Sequence, residues 1–178
     1  DKIPNAADTF TVRAFDPLPP LTPPPPSTET PYQSNASGTL ATGQSVSAAA
    51  GYKFTPQVNG KITALGGYFS GTKTVKLFRG STLLTSASVA GNNTWVYKDV
   101  TPVAVTAGTQ YTVAVYLSGS GGAKRTSGPT LPQVYGNIRI DAPTQATTTF
   151  LTPNAVPTTS SSPTTTMLGL ADVKFLRD

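Results

Sequence analysis

Few strings in this chain have residue types and spacing suited to chemistry, and Ser70-Gly71-Thr72-Lys73 is the first of them. In serine acyl-transferring enzymes, an S-x-x-K motif places a serine nucleophile and a lysine one helical turn apart. Here Gly71 falls between two predicted strands, where positions i and i+3 do not share a helix face. The sequence therefore predicts a hairpin turn at this string and no nucleophile.

Carboxylates are the second candidate for chemistry. A glycosidase needs two of them about 5 to 10 Å apart, and residues 45–178 offer only Asp99, Asp141, Asp172 and Asp178. Each is more simply explained as a solvated residue, a turn residue or the partner of a basic side chain. The chain has no His and no Cys, which removes imidazole bases, thiol nucleophiles and the usual zinc or haem ligands. We therefore expect a protein that is not an enzyme and that binds no cofactor or metal.

Basic residues form two small groups, Lys73, Lys76 and Arg79 beside one predicted strand and Lys124-Arg125 after a glycine-rich loop. Lysines on the outer face or edge of a sheet increase solubility and oppose edge-to-edge pairing. Proteins that bind single-stranded nucleic acid interleave such residues with stacking aromatics, and this chain does not. The sequence predicts no nucleic-acid partner.

Aromatic side chains could bind sugars, because β-sandwich modules stack pyranose rings on exposed aromatic faces. Tyr68, Trp95 and Tyr97 are the main candidates, with Tyr52 and Tyr135 as further ones. A single tryptophan at the start of a strand is also a common core or rim residue. A carbohydrate-binding or adhesive module of a secreted bacterial protein, with surface glycans as partners, is therefore the alternative function.

The N-terminal residues 1–16 contain a strand pattern that lies apart from the rest of the chain. From Thr9 to Phe15 the residues alternate, as expected for an extended strand. A lone strand is not stable, so it must join its own sheet or that of another chain. In β-strand addition, backbone hydrogen bonds provide affinity and alternate side chains provide specificity. We predict an assembly strand whose inserted side chains are Phe10, Val12 and Ala14, with Phe15 anchoring the exit.

Residues 17–44 are predicted to be a Pro-rich spacer, since 17–31 contain eight prolines. Such a stretch forms extended polyproline II and reaches roughly 3.1 Å per residue, about 45 Å in all. This reach suits head-to-tail contact between copies of the protein, and heterologous contacts that do not close form open filaments. Two alternatives stay open: a strand that folds back onto its own sheet, and a linker to another domain.

Residues 45–178 are predicted to form one all-β domain, an antiparallel sandwich of short strands separated by turn signals. Turn formers at 58–60, 79–81, 91–93 and 107–108 separate the strands. Alternating apolar residues supply the inward faces, including Ile62, Leu65 and Phe69 on one strand. Strands are predicted at 51–55, 61–69, 74–78, 83–89, 95–100, 110–117, 133–140 and 168–176.

This domain resembles a family of bacterial extracellular domains catalogued as domain of unknown function 4082. The resemblance covers residues 51–117 and 168–178. Its most specific part is Pro102-Val103-Ala104-Val105-Thr106-Ala107-Gly108-Thr109-Gln110-Tyr111, and Ala171-Asp172-Val173-Lys174-Phe175 matches the final strand. The resemblance implies a jelly-roll-like β-sandwich in a secreted or surface-displayed protein and no assigned activity. Residues 1–45 have no counterpart in it.

Composition and charge favour an exported protein. The 178 residues include 30 Thr and 15 Ser, and only 12% are charged. Residues 1–50 carry two basic and four acidic side chains, whereas 51–178 carry eleven and four, so an acidic tail could dock on a basic body. No apolar run is long enough to span a membrane. Because the chain starts at Asp1, we expect processing upstream, and the lack of cysteine favours a prokaryotic exterior. The sequence thus predicts a non-catalytic extracellular or cell-surface subunit that polymerises with copies of itself.

Overall fold

Antiparallel β-structure is the main secondary structure of the described chain, with 69% of the residues in strands. The computed structural model describes residues 27–146, 156–160 and 165–178. This part contains a 3-10 turn at Gln33–Asn35 and twelve strands, which confirms the predicted all-β class. The strands are β1 (Thr28–Glu29), β2 (Thr39–Gln44), β3 (Ala48–Pro56), β4 (Gly60–Arg79), β5 (Thr82–Val105), β6 (Tyr111–Leu117), β7 (Gly122–Thr126), β8 (Gln133–Tyr135), β9 (Ile138–Ala146), β10 (Thr159–Ser160), β11 (Met167–Leu168) and β12 (Ala171–Arg177).

The described residues form a nine-stranded sheet and a three-stranded sheet. The large sheet has the order β1-β12-β4-β6-β3-β9-β10, with β5 also paired to β4 and β8 to β9, and the small sheet has the order β11-β7-β2. β4 pairs with β12 along residues 60–67 and with β6 along 74–78, so it changes partner halfway along its length. The large sheet therefore curls into a half-barrel, which gives a sandwich-like fold.

The main core fills the inside of this half-barrel. The alternating residues predicted to face inward are buried, including Ile62, Leu65 and Phe69 of β4. Tyr111, Val113 and Val115 of β6 are buried against them. A second, smaller apolar cluster consists of Ala49, Phe78, Ala114 and Tyr116, packed by Leu83 and Val156.

The predicted turns at 70–73 and 91–93 are bends within longer strands. β4 and β5 form one hairpin whose strands pair from Gly60↔Val105 to Arg79↔Thr82. The register shifts between Phe69 and Ser70, and Gly71 and Asn93 adopt φ of +71° and +62°. Residues that favour positive φ serve a bend as well as a turn. The prediction of four short strands here was therefore wrong, although the chemistry of the breaks was read correctly.

Two other predicted strands are divided in the structure. The stretch predicted at 133–140 is a hairpin of β8 and β9 that turns at Gly136, whose φ is +59°. The stretch predicted at 168–176 is split between β11 in the small sheet and β12 in the large one. Gly169, with φ of +63°, lies at the break. In both cases one glycine with positive φ interrupts the extended backbone.

The expected Pro-rich spacer differs from the structure in its C-terminal part. Residues 28–29 form β1 on the edge of β12, and 39–44 form β2 of the small sheet. Tyr32 is buried in the main core. The folded body thus begins near residue 28 instead of residue 45. The sequence did not predict these short strands, because their residues lack a clear apolar alternation. They are stabilised by partner strands far along the chain.

Candidate functional site

The structure shows how the N-terminal segment is attached to the body. The predicted assembly residues Phe10, Val12, Ala14 and Phe15 lie outside the described residues, as does the range 1–16. The described chain begins at residue 27 and enters the fold immediately through β1. The candidate site is therefore the place where this segment joins the two halves of the sheet.

β1, through its backbone and its Glu29 side chain, makes the first part of the attachment. Thr28 and Glu29 pair antiparallel with Leu176 and Phe175 at the edge of β12. The Glu29 carboxylate accepts hydrogen bonds from the backbone N–H of Asn137, at 2.9 Å, and from its side-chain amide. Glu29 thus ties the segment to the β8–β9 turn on the opposite side of the half-barrel.

Asp172 of β12 makes the second part of the attachment. Its side chain is fully buried and accepts five hydrogen bonds. Oδ1 accepts from the Tyr52 hydroxyl at 2.6 Å and from the N–H groups of Val173 at 2.9 Å and Tyr32 at 3.2 Å. Oδ2 accepts from the Gln33 N–H and the Tyr97 hydroxyl, both at 2.8 Å. One carboxylate therefore connects strands β3, β5 and β12 with the segment at residues 32–33.

Cross-strand geometry explains how Tyr97 reaches Asp172. Gly66 of β4 pairs with Tyr97 of β5 on one side and with Asp172 of β12 on the other. A Cβ atom added at Gly66 would clash with the Val96 carbonyl oxygen and lie 2.8 Å from the Tyr97 ring. Because Gly66 has no side chain, the Tyr97 ring can pass over it to the carboxylate.

Aromatic rings fix the segment from a third direction. Tyr32 is 8% exposed, and its ring lies between those of Tyr52 and Trp95, with ring centroids at 6.0 and 5.9 Å. Tyr68 packs edge-on against Trp95 at 5.9 Å. Aromatic pairs at this spacing add stability beyond the area they bury. The packing of the Tyr32 ring therefore holds the segment against the core.

Burial determines the protonation behaviour of this group. It raises the pKa of the Asp172 carboxyl above its usual range, although the hydrogen bonds from Tyr52, Gln33, Tyr97 and Val173 partly offset the rise. Burial likewise raises the pKa of the Tyr52 and Tyr97 hydroxyls, and the negative charge of Asp172 raises both further. These phenols stay protonated donors near neutral pH. Because Asp172 has no exposed surface, the group is suited to holding the chain in place.

The structure places the three predicted sugar-stacking residues together, beside this network. Trp95 and Tyr68 are half-buried and pack on the main core. Tyr97 is half-buried, with its hydroxyl bound to Asp172 and its ring 5.3 Å from the Lys174 ammonium. Among the described tyrosines and the tryptophan, none is fully exposed. Their role in the structure is to pack and to donate hydrogen bonds.

A cleft of about 200 Å³ opens next to the attachment. It is bounded by the segment at 28–35 and by the β8–β9 turn, including Tyr135. Its polar groups include the Thr30 and Ser34 hydroxyls, which hydrogen-bond to each other at 2.7 Å. The lining therefore has hydroxyl, amide, carboxylate and aromatic groups within one concavity.

Sequence reasoning missed the roles of Asp172, Glu29 and Tyr32. Asp172 was expected to be a solvated residue, a turn residue or the partner of a base, and its burial overturns that reading. The available signal was its position between Ala171 and Val173 in an apolar strand. Its main partners are 75 to 140 residues away in the chain, so no local pattern could identify them.

The other candidate residues also have structural partners. Lys73 is buried and donates to the Ser120 carbonyl at 2.9 Å. Ser70 and Lys73 both lie on the bent strand β4, so they do not share a helix face. Asp141 accepts from Arg139 at 2.6 Å and from Thr55 at 2.7 Å. Within residues 27–146, 156–160 and 165–178, no cluster of acidic side chains could hold a metal ion. The same residues include no helix with the length and apolar character needed to cross a membrane.

Comparison with known proteins adds no assignment. No protein-family model matches the chain, and no curated protein matches it. The resemblance to domain of unknown function 4082 therefore stays a prediction. Any functional conclusion has to come from the attachment site, the sheet edges and the composition.

Proposed function

We propose that this protein is a non-catalytic structural subunit of an extracellular or cell-surface prokaryotic filament or matrix fibre. Each copy donates its N-terminal strand, residues 9–15, to a neighbouring copy. The observation that carries the proposal is the attachment of residues 28–33 to the body. A strand donated to a neighbour has to leave its own subunit from a fixed point, because a loosely attached tail would detach from the core under tension.

Three kinds of contact make this point fixed. β1 pairs with β12 through the backbone, Asp172 accepts the Tyr32 and Gln33 N–H groups, and the Tyr32 ring is buried. Hydrogen bonds to a charged group are worth more than neutral ones, about 1.5 to 3 kcal/mol each. Pulling the segment out would leave a buried carboxylate with fewer donors, which is strongly unfavourable.

Composition supports the proposed extracellular location of the protein. The chain has abundant Thr and Ser, few charges and no cysteine to oxidise. Such a chain is chemically suited to an oxidising exterior, where a free thiol would react.

The test is a comparison of two double variants of the full chain. Phe10→Asp with Val12→Asp places carboxylates on the predicted inserted face, whereas Thr9→Asp with Thr11→Asp adds the same charge to the opposite face. Burying a carboxylate without a partner costs several kcal/mol. We expect long polymers from the natural chain and the control, and monomers from the first variant, by sedimentation and electron microscopy. Circular dichroism checks that both variants are folded.

Equal polymerisation of both variants would contradict strand donation. Monomers from all three chains would contradict assembly altogether and would favour the alternative, a carbohydrate-binding or adhesive module. One observation favours that alternative, namely the cleft beside Tyr135 with its polar and aromatic lining. The candidates Tyr68, Trp95 and Tyr97 lie elsewhere and are engaged in packing, so they support it less well.

A further inference from the structure

The longest strand in the described part of the chain, β5, has one edge with no partner there. β5 pairs with β4 along one side only. Its first part, Thr82–Ala90, contains no charged residue and no proline. From Thr85 to Asn92 its pairing with β4 is regular, without a bulge. Sheet edges are usually protected by charge, proline or bulges, and an unprotected edge can pair with another chain.

The other described edges are shorter, covered or irregular. β12 carries β1 at Phe175 and Leu176, and β9 carries β8 and β10. β2 has a register shift between Ala41 and Gln44. The second part of β5 contains Lys98, Asp99 and Pro102, which hinder pairing. The edge at 82–90 is therefore the most suitable acceptor in the described part.

The pattern of this edge matches the pattern of the N-terminal strand. Ala87 and Val89 of β5 are buried against the core, whereas Ser86 and Ser88 are exposed. In the strand at 9–15, Phe10, Val12 and Ala14 alternate with Thr9, Thr11 and Arg13. Pairing the two segments with Val12 opposite Ala87 continues the apolar face on one side and the polar face on the other. A slip by one residue would reverse both faces.

Charge favours the same pairing. Asp8 and Asp16 flank the N-terminal strand. Lys76 and Arg79 of β4 pair across from Ser86 and Thr82, directly behind the acceptor edge. Opposite charges near the ends of a pairing segment orient it.

Chain geometry favours an acceptor edge on a second copy. The segment 17–27 contains seven prolines and is predicted to be a semi-rigid rod of roughly 3.1 Å per residue, about 34 Å long. β1, where this rod joins the body, lies on the far side of β12 and β4 from β5. Since the rod joins the body on the side of the sheet away from β5, a stiff rod favours an acceptor on a second copy over the chain's own β5.

We infer that residues 9–15 of one copy add as a strand to the β5 edge at 82–90 of the next copy. This inference rests on the proposed function and names its acceptor. The added strand extends the large sheet of the accepting copy beyond β5. The attachment at residues 28–33 joins this strand to the body of the donating copy. Repetition of this contact makes a head-to-tail polymer.

Disulfide mapping tests the acceptor, because the chain has no cysteine of its own. Two full-length double variants carry Thr11→Cys together with Ser86→Cys or with Ser88→Cys. Residues directly opposite in a sheet have Cβ atoms about 4.5 to 5.5 Å apart, close to disulfide range. With Val12 opposite Ala87, Thr11 lies opposite Ser86 if the added strand is parallel to β5, and opposite Ser88 if it is antiparallel. Thr11→Cys with Thr42→Cys, on the edge of β2, is the matched control.

Each chain is first assembled in reductant, where polymers like those of the natural chain show that it is folded, and is then oxidised. We expect a ladder of cross-linked multimers in denaturing gels from one of the β5 pairs, at least about tenfold stronger than from the β2 control, since pairing raises the local thiol concentration. A compact cross-linked monomer would overturn the inference in favour of the chain's own edge. Polymers that cross-link at β2, or that form without any β5 cross-link, would overturn the acceptor but leave strand donation standing. Failure of the natural chain to assemble would overturn both proposals.

Discussion

At the scale of single residues, Asp172 determines how the N-terminal segment is held. Removing a carboxylate from water costs several kcal/mol, and only good hydrogen bonds offset that cost. Asp172 has five of them, from two tyrosine hydroxyls and three backbone N–H groups. These hydrogen bonds therefore hold residues 32–33 against β3, β5 and β12.

Replacing Asp172 by Asn tests the role of these hydrogen bonds. An amide presents N–H groups toward donors, so we expect the free energy of unfolding to fall by about 3 to 5 kcal/mol. Because burial raises the pKa of Asp172 in the folded state, the folded protein binds this proton more tightly than the unfolded chain. The stability difference between the natural chain and the variant should thus be largest at acidic pH and shrink as pH rises through the folded-state pKa.

The measurement is urea unfolding of both proteins at several pH values between 4 and 8. Asp99→Asn is the control, because Asp99 is exposed, and a surface change of this kind stays within about 0.5 kcal/mol. A difference that grows with pH would show that the five donors outweigh burial at Asp172.

At the scale of elements, the bent hairpin of β4 and β5 makes a half-barrel out of one sheet. Its bend combines the register shift at Phe69 and Ser70 with positive φ at Gly71 and Asn93. Past the bend, β4 exchanges β12 for β6 as its partner. The bend thus brings Tyr52 of β3, which pairs with β6, over Asp172 of β12.

Gly71 is the position where the bend can be tested. A Cβ atom there would meet nothing within 4 Å, so only the φ of +71° opposes a side chain. We expect Gly71→Ala to lower the free energy of unfolding by about 1 to 2 kcal/mol. Gly71→Asn should cost less, because Asn tolerates the left-handed region. Chemical denaturation of the two variants checks this, and equal losses would contradict a purely conformational cost.

At the scale of the whole molecule, the attachment at residues 28–33 leaves a shorter N-terminal tail than the sequence predicts for contact with a neighbouring copy. The sequence predicts a spacer over 17–31 with a reach of about 45 Å, whereas a body that begins near residue 28 leaves about 34 Å. Residues 28–36 belong to the folded unit through β1, Glu29 and Tyr32. The boundary between tail and body is thus near residue 27.

Two truncations locate this boundary. A chain that begins at Ser27 retains every described contact, so we expect its melting temperature to equal that of the full monomer. A chain that begins at Ala36 loses Tyr32 and two donors to Asp172. Its free energy of unfolding should fall by about 3 to 5 kcal/mol, as expected when a buried charge loses partners. Calorimetry of the two chains provides the measurement, and equal melting temperatures would place the boundary after residue 36.

Local sequence patterns determined the fold class and most of the core. Alternation along 61–69 and 110–117 identifies extended strands whose apolar side chains enter the core, because side chains of a strand point alternately to its two faces, although β6 is buried on both faces. Ile62, Phe69, Val113 and Val115 are accordingly in the core. The absence of His and Cys could likewise be read directly.

Only the tertiary structure decided what the breaks and the polar residues do. A glycine with positive φ ends a strand at Gly136 but bends one at Gly71, and the difference depends on whether partner strands continue beyond it. Asp172 is buried because Tyr52 and Tyr97, 120 and 75 residues away, supply donors to it. Local periodicity encodes the backbone state of a segment, whereas burial and pairing depend on segments that only folding brings together.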